Sequence, residues 1–144
     1  MDKENTPEPR EEIDPETDKI GSQIVDAAYQ VHLNLGPGLL ENAYEVCLAH
    51  EISQRGLKVE QQVAVPLVYK GVRMNVGFRI DLLVEGRVIV EVKAVEQLLP
   101  VHRAQVITYL KLSKNKLGYL VNFNAPIMKK GLERIAFSRP KTSE

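Results

Sequence analysis

Residues 78–95 read FRIDLLVEGRVIVEVKAV, two apolar β-rich runs on either side of Glu85-Gly86, the signature of a β-hairpin. Side chains two apart on a strand share a face. Val88, Val90 and Val92 therefore point one way, and Ile89, Glu91 and Lys93 the other. An unpaired charge on a buried face costs several kcal/mol or shifts its pKa, so Glu91 and Lys93 require compensation, by an ion pair or by a metal ion. The turn decides which carboxylates meet. A two-residue turn at Glu85-Gly86 puts Asp81 and Glu91 on opposite faces. A three-residue turn with Gly86 left-handed pairs Leu83 with Arg87 and Asp81 with Ile89, leaving Glu91 diagonal to Asp81 on one face, about 7–8 Å away.

Working outward, residues 57–95 are rich in β-branched residues, with a second turn signal at Lys70-Gly71. They predict three or four antiparallel strands, with Pro66 tolerable only at an edge, a strand start or a bulge. Upstream, Ile20, Ile24, Ala27, Val31 and Leu35 recur at helical spacing until Gly36-Pro37. A second helix is expected from Leu39 to Arg55, with Glu41 in its first turn, where the helix dipole favours a carboxylate. Downstream, LLPVHRAQVITYLKLSK predicts a helix with Pro100 in its first turn, KLGYLVNF a buried strand and LERIAF another. The order is that of an α/β fold, a mixed central sheet flanked by helices, in which the helix after Lys93 crosses over to bring a later strand alongside.

The 144 residues suit one domain. The net charge of zero conceals a division: residues 1–18 carry −6 and residues 93–144 carry +7. The former read as a disordered acidic tail, residues 19–138 as the domain and 139–144 as a C-terminal tail. The basic half suits a polyanionic partner, and Lys111, Lys114 and Lys116 are the expected phosphate contacts near the site. With one cysteine, Cys47, no apolar run of membrane length and no apolar core of a signal peptide, a cytoplasmic protein without disulfides is the simplest expectation.

Two carboxylates and a lysine suit Mg²⁺, which takes hard oxygen ligands, eases ionisation of a water and offsets phosphoryl charge. A lysine can position the attacking water. Gln105 and Tyr109, four apart on one helical face, add donors. Taken alone, Asp81, Glu91 and Lys93 read first as an internal ion cluster, His102 as part of a solvated polar helix face, and Tyr44 as a core aromatic whose hydroxyl finds a partner.

GLLENAY, residues 38–44, matches the G-x-x-E-x-x-Y signature, and the chain from Ile20 to Ile135 resembles the GxxExxY proteins, a group within the PD-(D/E)XK nuclease superfamily. The resemblance implies a restriction-endonuclease-like core. Asp81, Glu91 and Lys93 would stand for its D…E-x-K motif, although Ile80 rather than proline precedes Asp81. Glu41 would be the helical acidic residue joining Asp81 and Glu91 at the metal, the three converging with Lys93 in one cleft. Gln105 and Tyr109 resemble the Q-x-x-x-Y motif of RecB-type and lambda-exonuclease-type members. The activity implied is Mg²⁺-dependent hydrolysis of nucleic acid, DNA rather than RNA, with Mn²⁺ as a substitute. Homodimerisation is one arrangement by which so small a nuclease cuts both strands. The alternative is a non-catalytic nucleic-acid-binding or protein-interaction module that keeps the fold.

Overall fold

A computed structural model describes residues 13–138. Of the two expected tails, residues 1–12 and 139–144 lie outside the described residues. Residues 15–18, expected in the acidic tail, instead open the first helix. Helix α1 (Pro15–Leu35) is capped by Asp14, whose Oδ1 accepts the Thr17 N–H at 2.9 Å while Oδ2 accepts the Thr17 hydroxyl at 2.8 Å. Pro15 fits the first turn, and Glu16 and Asp18 favour the positive end of the dipole. Helix α1 buries Ile20, Ile24, Ala27 and Val31, whereas Leu35 is exposed.

Gly36 ends α1 with φ +66°, and a short link turns the chain into α2 (Glu41–Gln54). Tyr44 holds that link. Its hydroxyl donates to the Gly36 carbonyl at 2.6 Å and accepts the Leu39 N–H at 3.0 Å. Its ring stacks on Phe123, centroids 4.7 Å apart.

Strands β1 (Val59–Tyr69), β2 (Val72–Val84) and β3 (Val88–Lys93) form an antiparallel meander. Lys70 and Gly71 both have positive φ, as a two-residue primed turn requires. Pro66 sits where the β1–β2 register shifts, on an edge strand, both places that tolerate it. Helix α3 (Pro100–Ser113) crosses over to β4 (Leu117–Asn122), which runs parallel to β3. The short helix α4 (Met128–Gly131) leads to β5 (Leu132–Ala136), antiparallel to β4, and the sheet order is β1-β2-β3-β4-β5.

Each sheet face has its own core. Val88, Val90 and Val92 pack with α1 and α2, while Ile89 and Leu120 pack with Val106, Tyr109 and Leu110 of α3. Gly118 lets α3 lie close, since a Cβ there would stand 2.8 Å from Val106 Cγ1. That close seating brings Gln105 and Tyr109 over the end of β3.

Candidate active site

The β2–β3 register differs from both turns considered in the sequence. Val84 pairs with Val88, Leu83 with Ile89 and Leu82 with Val90. The loop is Glu85-Gly86-Arg87, with Glu85 and Gly86 at φ +53° and +65°, and the Arg87 N–H donates to the Val84 carbonyl at 3.0 Å. The loop keeps the three residues and left-handed Gly86 of the longer turn considered, but it is shifted by one, taking in Arg87 in place of Val84. Carried one step further, this register sets Asp81 opposite Glu91 rather than opposite Ile89. The two carboxylates share a face, by a different pairing from the one expected.

At that step β2 and β3 part, and side chains replace the backbone ladder. Glu91 Oε2 accepts the Asp81 N–H at 2.8 Å, and Asp81 Oδ2 accepts the Val92 N–H at 2.9 Å. Glu91 is only 3% exposed. Burial, then the charge of Asp81, pushes its carboxyl up to about 8. Burial also raises Asp81, as do the charges of Glu45 and, more weakly, Glu41, while its hydrogen bond from Val92 opposes the rise.

Glu41 stands in the first turn of α2, as the sequence placed it, but a second helix carboxylate lies nearer the fork. Glu41 is exposed at the start of α2, whereas Glu45, one turn on, is buried. Gln62 links Glu45 to the fork: its Nε2 donates to Glu45 Oε1 at 2.9 Å, to Glu45 Oε2 at 3.0 Å and to Asp81 Oδ1 at 3.3 Å. Gln62 adopts φ +52°, which turns its side chain to this task. Among the described residues no group of three or more His, Cys, Asp or Glu stands ready to hold a metal ion, although the Glu41 charge reaches Asp81. The i, i+4 spacing of Glu41 and Glu45 was the available signal for Glu45; nothing in the sequence pointed to Gln62.

Lys93 ends β3 half-buried, and its Nζ donates to Gln105 Oε1 at 3.3 Å. Gln105 Nε2 in turn donates to the Tyr109 hydroxyl at 3.1 Å, which links the three residues in a chain. Burial, then the charge of Glu91, raises the Tyr109 phenol. These groups line an open cleft of about 520 Å³ with Phe78, Val101 and His102. His102 Nδ1 accepts the Leu99 N–H at 2.9 Å, capping α3 and leaving Nε2 as the protonated nitrogen of the neutral ring. Asn122, buried and also unforeseen, fixes the chain beyond Lys93: its Oδ1 accepts the Val95 N–H at 3.0 Å and its Nδ2 donates to the Val95 carbonyl at 2.9 Å.

Lys114 and Lys116 are not near this cleft. They line a separate hollow with Asp14 and Arg87. That hollow lies at the end of β3 where Val88 pairs with Leu117, whereas Lys93 pairs with Asn122. Helix α3 starts beside Lys93 and runs away from it, which takes its C-terminal lysines to the far end of the sheet.

A sequence profile of the PD-(D/E)XK nuclease superfamily matches residues 18–135. The chain belongs to that superfamily. Comparison with curated proteins and with solved structures found no match. The five-stranded mixed sheet with helices on both faces is consistent with the PD-(D/E)XK fold. Nuclease chemistry and a nucleic-acid substrate follow at the level of the superfamily. No helix among the described residues is long and apolar enough to cross a membrane.

Asp81 and Glu91 present only oxygen donors, the kind a hard divalent cation takes, and burial, then neighbouring carboxylate charge (Glu45 and Glu41 for Asp81, Asp81 for Glu91), raises the proton affinity of each. Mg²⁺ is commonly held by one or two carboxylates and keeps several waters, so it does not require a third enclosing ligand.

Proposed function

We propose that the chain is a divalent-metal-dependent nuclease that hydrolyses phosphodiester bonds of DNA, with Asp81 and Glu91 as the metal ligands. The observation that supports this most is the pairing of these two carboxylates beside Lys93, which Gln105 and Tyr109 hold in a cleft open to solvent. Mg²⁺ or Mn²⁺ would offset charge on a phosphoryl oxygen and ease ionisation of a water. Glu41 and Glu45 add negative potential from α2. Lys93 holds the attacking water in line with phosphorus and offsets charge on the phosphoryl oxygens. Gln105 accepts from Lys93 and so directs its ammonium. Because Tyr109 accepts from Gln105, its own proton is available to a phosphate oxygen. Water gives up one proton to solvent as its oxygen forms the new P–O bond and the bridging P–O bond breaks, and the leaving oxygen takes a proton from solvent.

Labelled single- and double-stranded DNA and RNA, incubated with protein and Mg²⁺ or Mn²⁺ and then with chelator, test this reading. DNA should be cleaved only with metal. Lys93→Ala should lower the rate by at least about 100-fold, the order found for removing a charge-stabilising donor, with the melting temperature unchanged. Metal binding without cleavage of any substrate overturns the enzyme and leaves a binding module.

A further inference from the structure

Residues 66–79 form a two-stranded ribbon that outruns the rest of the sheet. Strand β1 pairs with β2 along its length, but β3 joins β2 only at Leu82, Leu83 and Val84. Val65 and Ile80 anchor the base in the α3 core. Beyond them Val68, Tyr69, Val72 and Val76 are each at least half exposed. The only charges between Gln61 and Asp81 are Lys70, Arg73 and Arg79, all exposed and all positive. Val68 and Arg73 pair on one ribbon face and Tyr69 and Val72 on the other, while Lys70 lies over the Tyr69 ring at 5.5 Å.

We propose that this ribbon is a DNA-binding arm that enters the major groove of a duplex whose backbone lies in the Lys93 cleft. The proposal deepens the nuclease reading and rests on it for the position of the backbone. Four features carry it. First, the arm is continuous with the site, since Phe78 lines the cleft and Asp81 follows two residues after Arg79. Second, Asp81 lies ten residues along the chain from Gly71 in the turn before β2, so the tip reaches about 30 Å from the fork, close to one turn of B-form duplex at ~34 Å. Third, a two-stranded ribbon fits the B-form major groove, whereas the A-form groove is too deep and narrow for it. Fourth, both ribbon faces present apolar and cationic groups, as a groove with two phosphate walls requires. A second copy of the chain is the poorer occupant: it would set the same cations against these, and Pro66 interrupts the β1 edge that strand pairing would use.

Fluorescence anisotropy in chelator, where nothing is cleaved, tests the arm separately from the chemistry. The probes are an about 24-bp DNA duplex, roughly two turns, the matching single strand, and the same duplex as RNA. Wild type should bind the DNA duplex most tightly. Lys70→Ala/Arg73→Ala should weaken duplex binding about tenfold and flatten the log K versus log salt slope by roughly 0.9 per lost contact, with the melting temperature and single-strand binding unchanged. An unaltered slope, or wild-type binding of single strand or duplex RNA as tight as duplex DNA, overturns the arm. A dimer seen by sedimentation and lost in Tyr69→Ser/Val72→Ser also overturns it, in favour of self-association. Absence of cleavage with these binding results intact would count against the nuclease and not against the arm.

Discussion

Glu91 shows how folding makes a carboxylate receptive to a cation. The folded chain keeps its proton up to about pH 8, because burial and then Asp81 oppose its charge, while the unfolded chain releases it near pH ~4.3. Between these values the folded state binds more protons, so stability falls as pH rises. The stabilisation is complete below the unfolded pKa and lost above about 8. Asp81 shifts in the same direction and adds to the slope. Glu91→Gln keeps an oxygen for the Asp81 N–H but cannot ionise. Urea denaturation between about pH 5 and 9 should show a flatter profile for this variant, with a gain over metal-free wild type on the order of a few kcal/mol at the alkaline end. Equal slopes would show that Glu91 titrates normally. The same residue marks a limit of the sequence. Its face was legible from the alternation in Val88–Lys93, because both faces of that strand are buried and a one-residue slip is costly. Its partner was not, since the register depended on Glu85 accepting a left-handed backbone that its side chain does not favour.

The elements were legible where they carry local chemistry. The Gly36-Pro37 stop, the Lys70-Gly71 turn and Pro100 in the first turn of α3 all stand where expected. The start of α1 was hidden because acidic composition outweighed the Asp14-Pro15 cap signal. Glu45 was hidden for another reason: which carboxylate of an i, i+4 pair is buried depends on how α2 seats on the sheet. Two substitutions test that seating. Tyr44→Phe keeps the Phe123 stack but strips the Leu39 N–H and Gly36 carbonyl of a partner. It should cost about 1–3 kcal/mol of stability in urea; a loss below ~0.5 would mean water replaces the hydroxyl. Gly118→Ala should cost a similar ~1–3 kcal/mol through overpacking against Val106. It should also lift α3 and so lower cleavage by more than the folded fraction falls. Cleavage that tracks the folded fraction would show that the placement of Gln105 does not depend on this contact.

At the scale of the whole molecule, charge is sorted by position rather than by sequence half. Lys114 and Lys116, two of the basic residues behind the net charge of residues 93–144, lie toward the far end of the sheet, while at the fork the charges of Glu45 and Glu41 act on Asp81, and those of Asp81 and Lys93 on Glu91. Composition could show the asymmetry but not its direction, because that depends on which way the crossover helix runs. A cation that binds only the folded fork must stabilise the whole chain, by about 2.7 kcal/mol at 100-fold above its Kd, which raises the melting temperature by several degrees for a domain of this size. Below pH 8 that binding competes with the Glu91 proton. The apparent Mg²⁺ affinity should therefore fall about tenfold per pH unit as pH drops from about 8 to 6, because one proton leaves for each ion bound. Thermal melts across millimolar Mg²⁺ at several pH values measure this directly. The metal-induced shift should be large near pH 8, small near pH 6 and much reduced at both in Glu91→Gln. A shift of equal size at every pH would place the ion away from Glu91, and no shift at any pH would remove the metal from the fork.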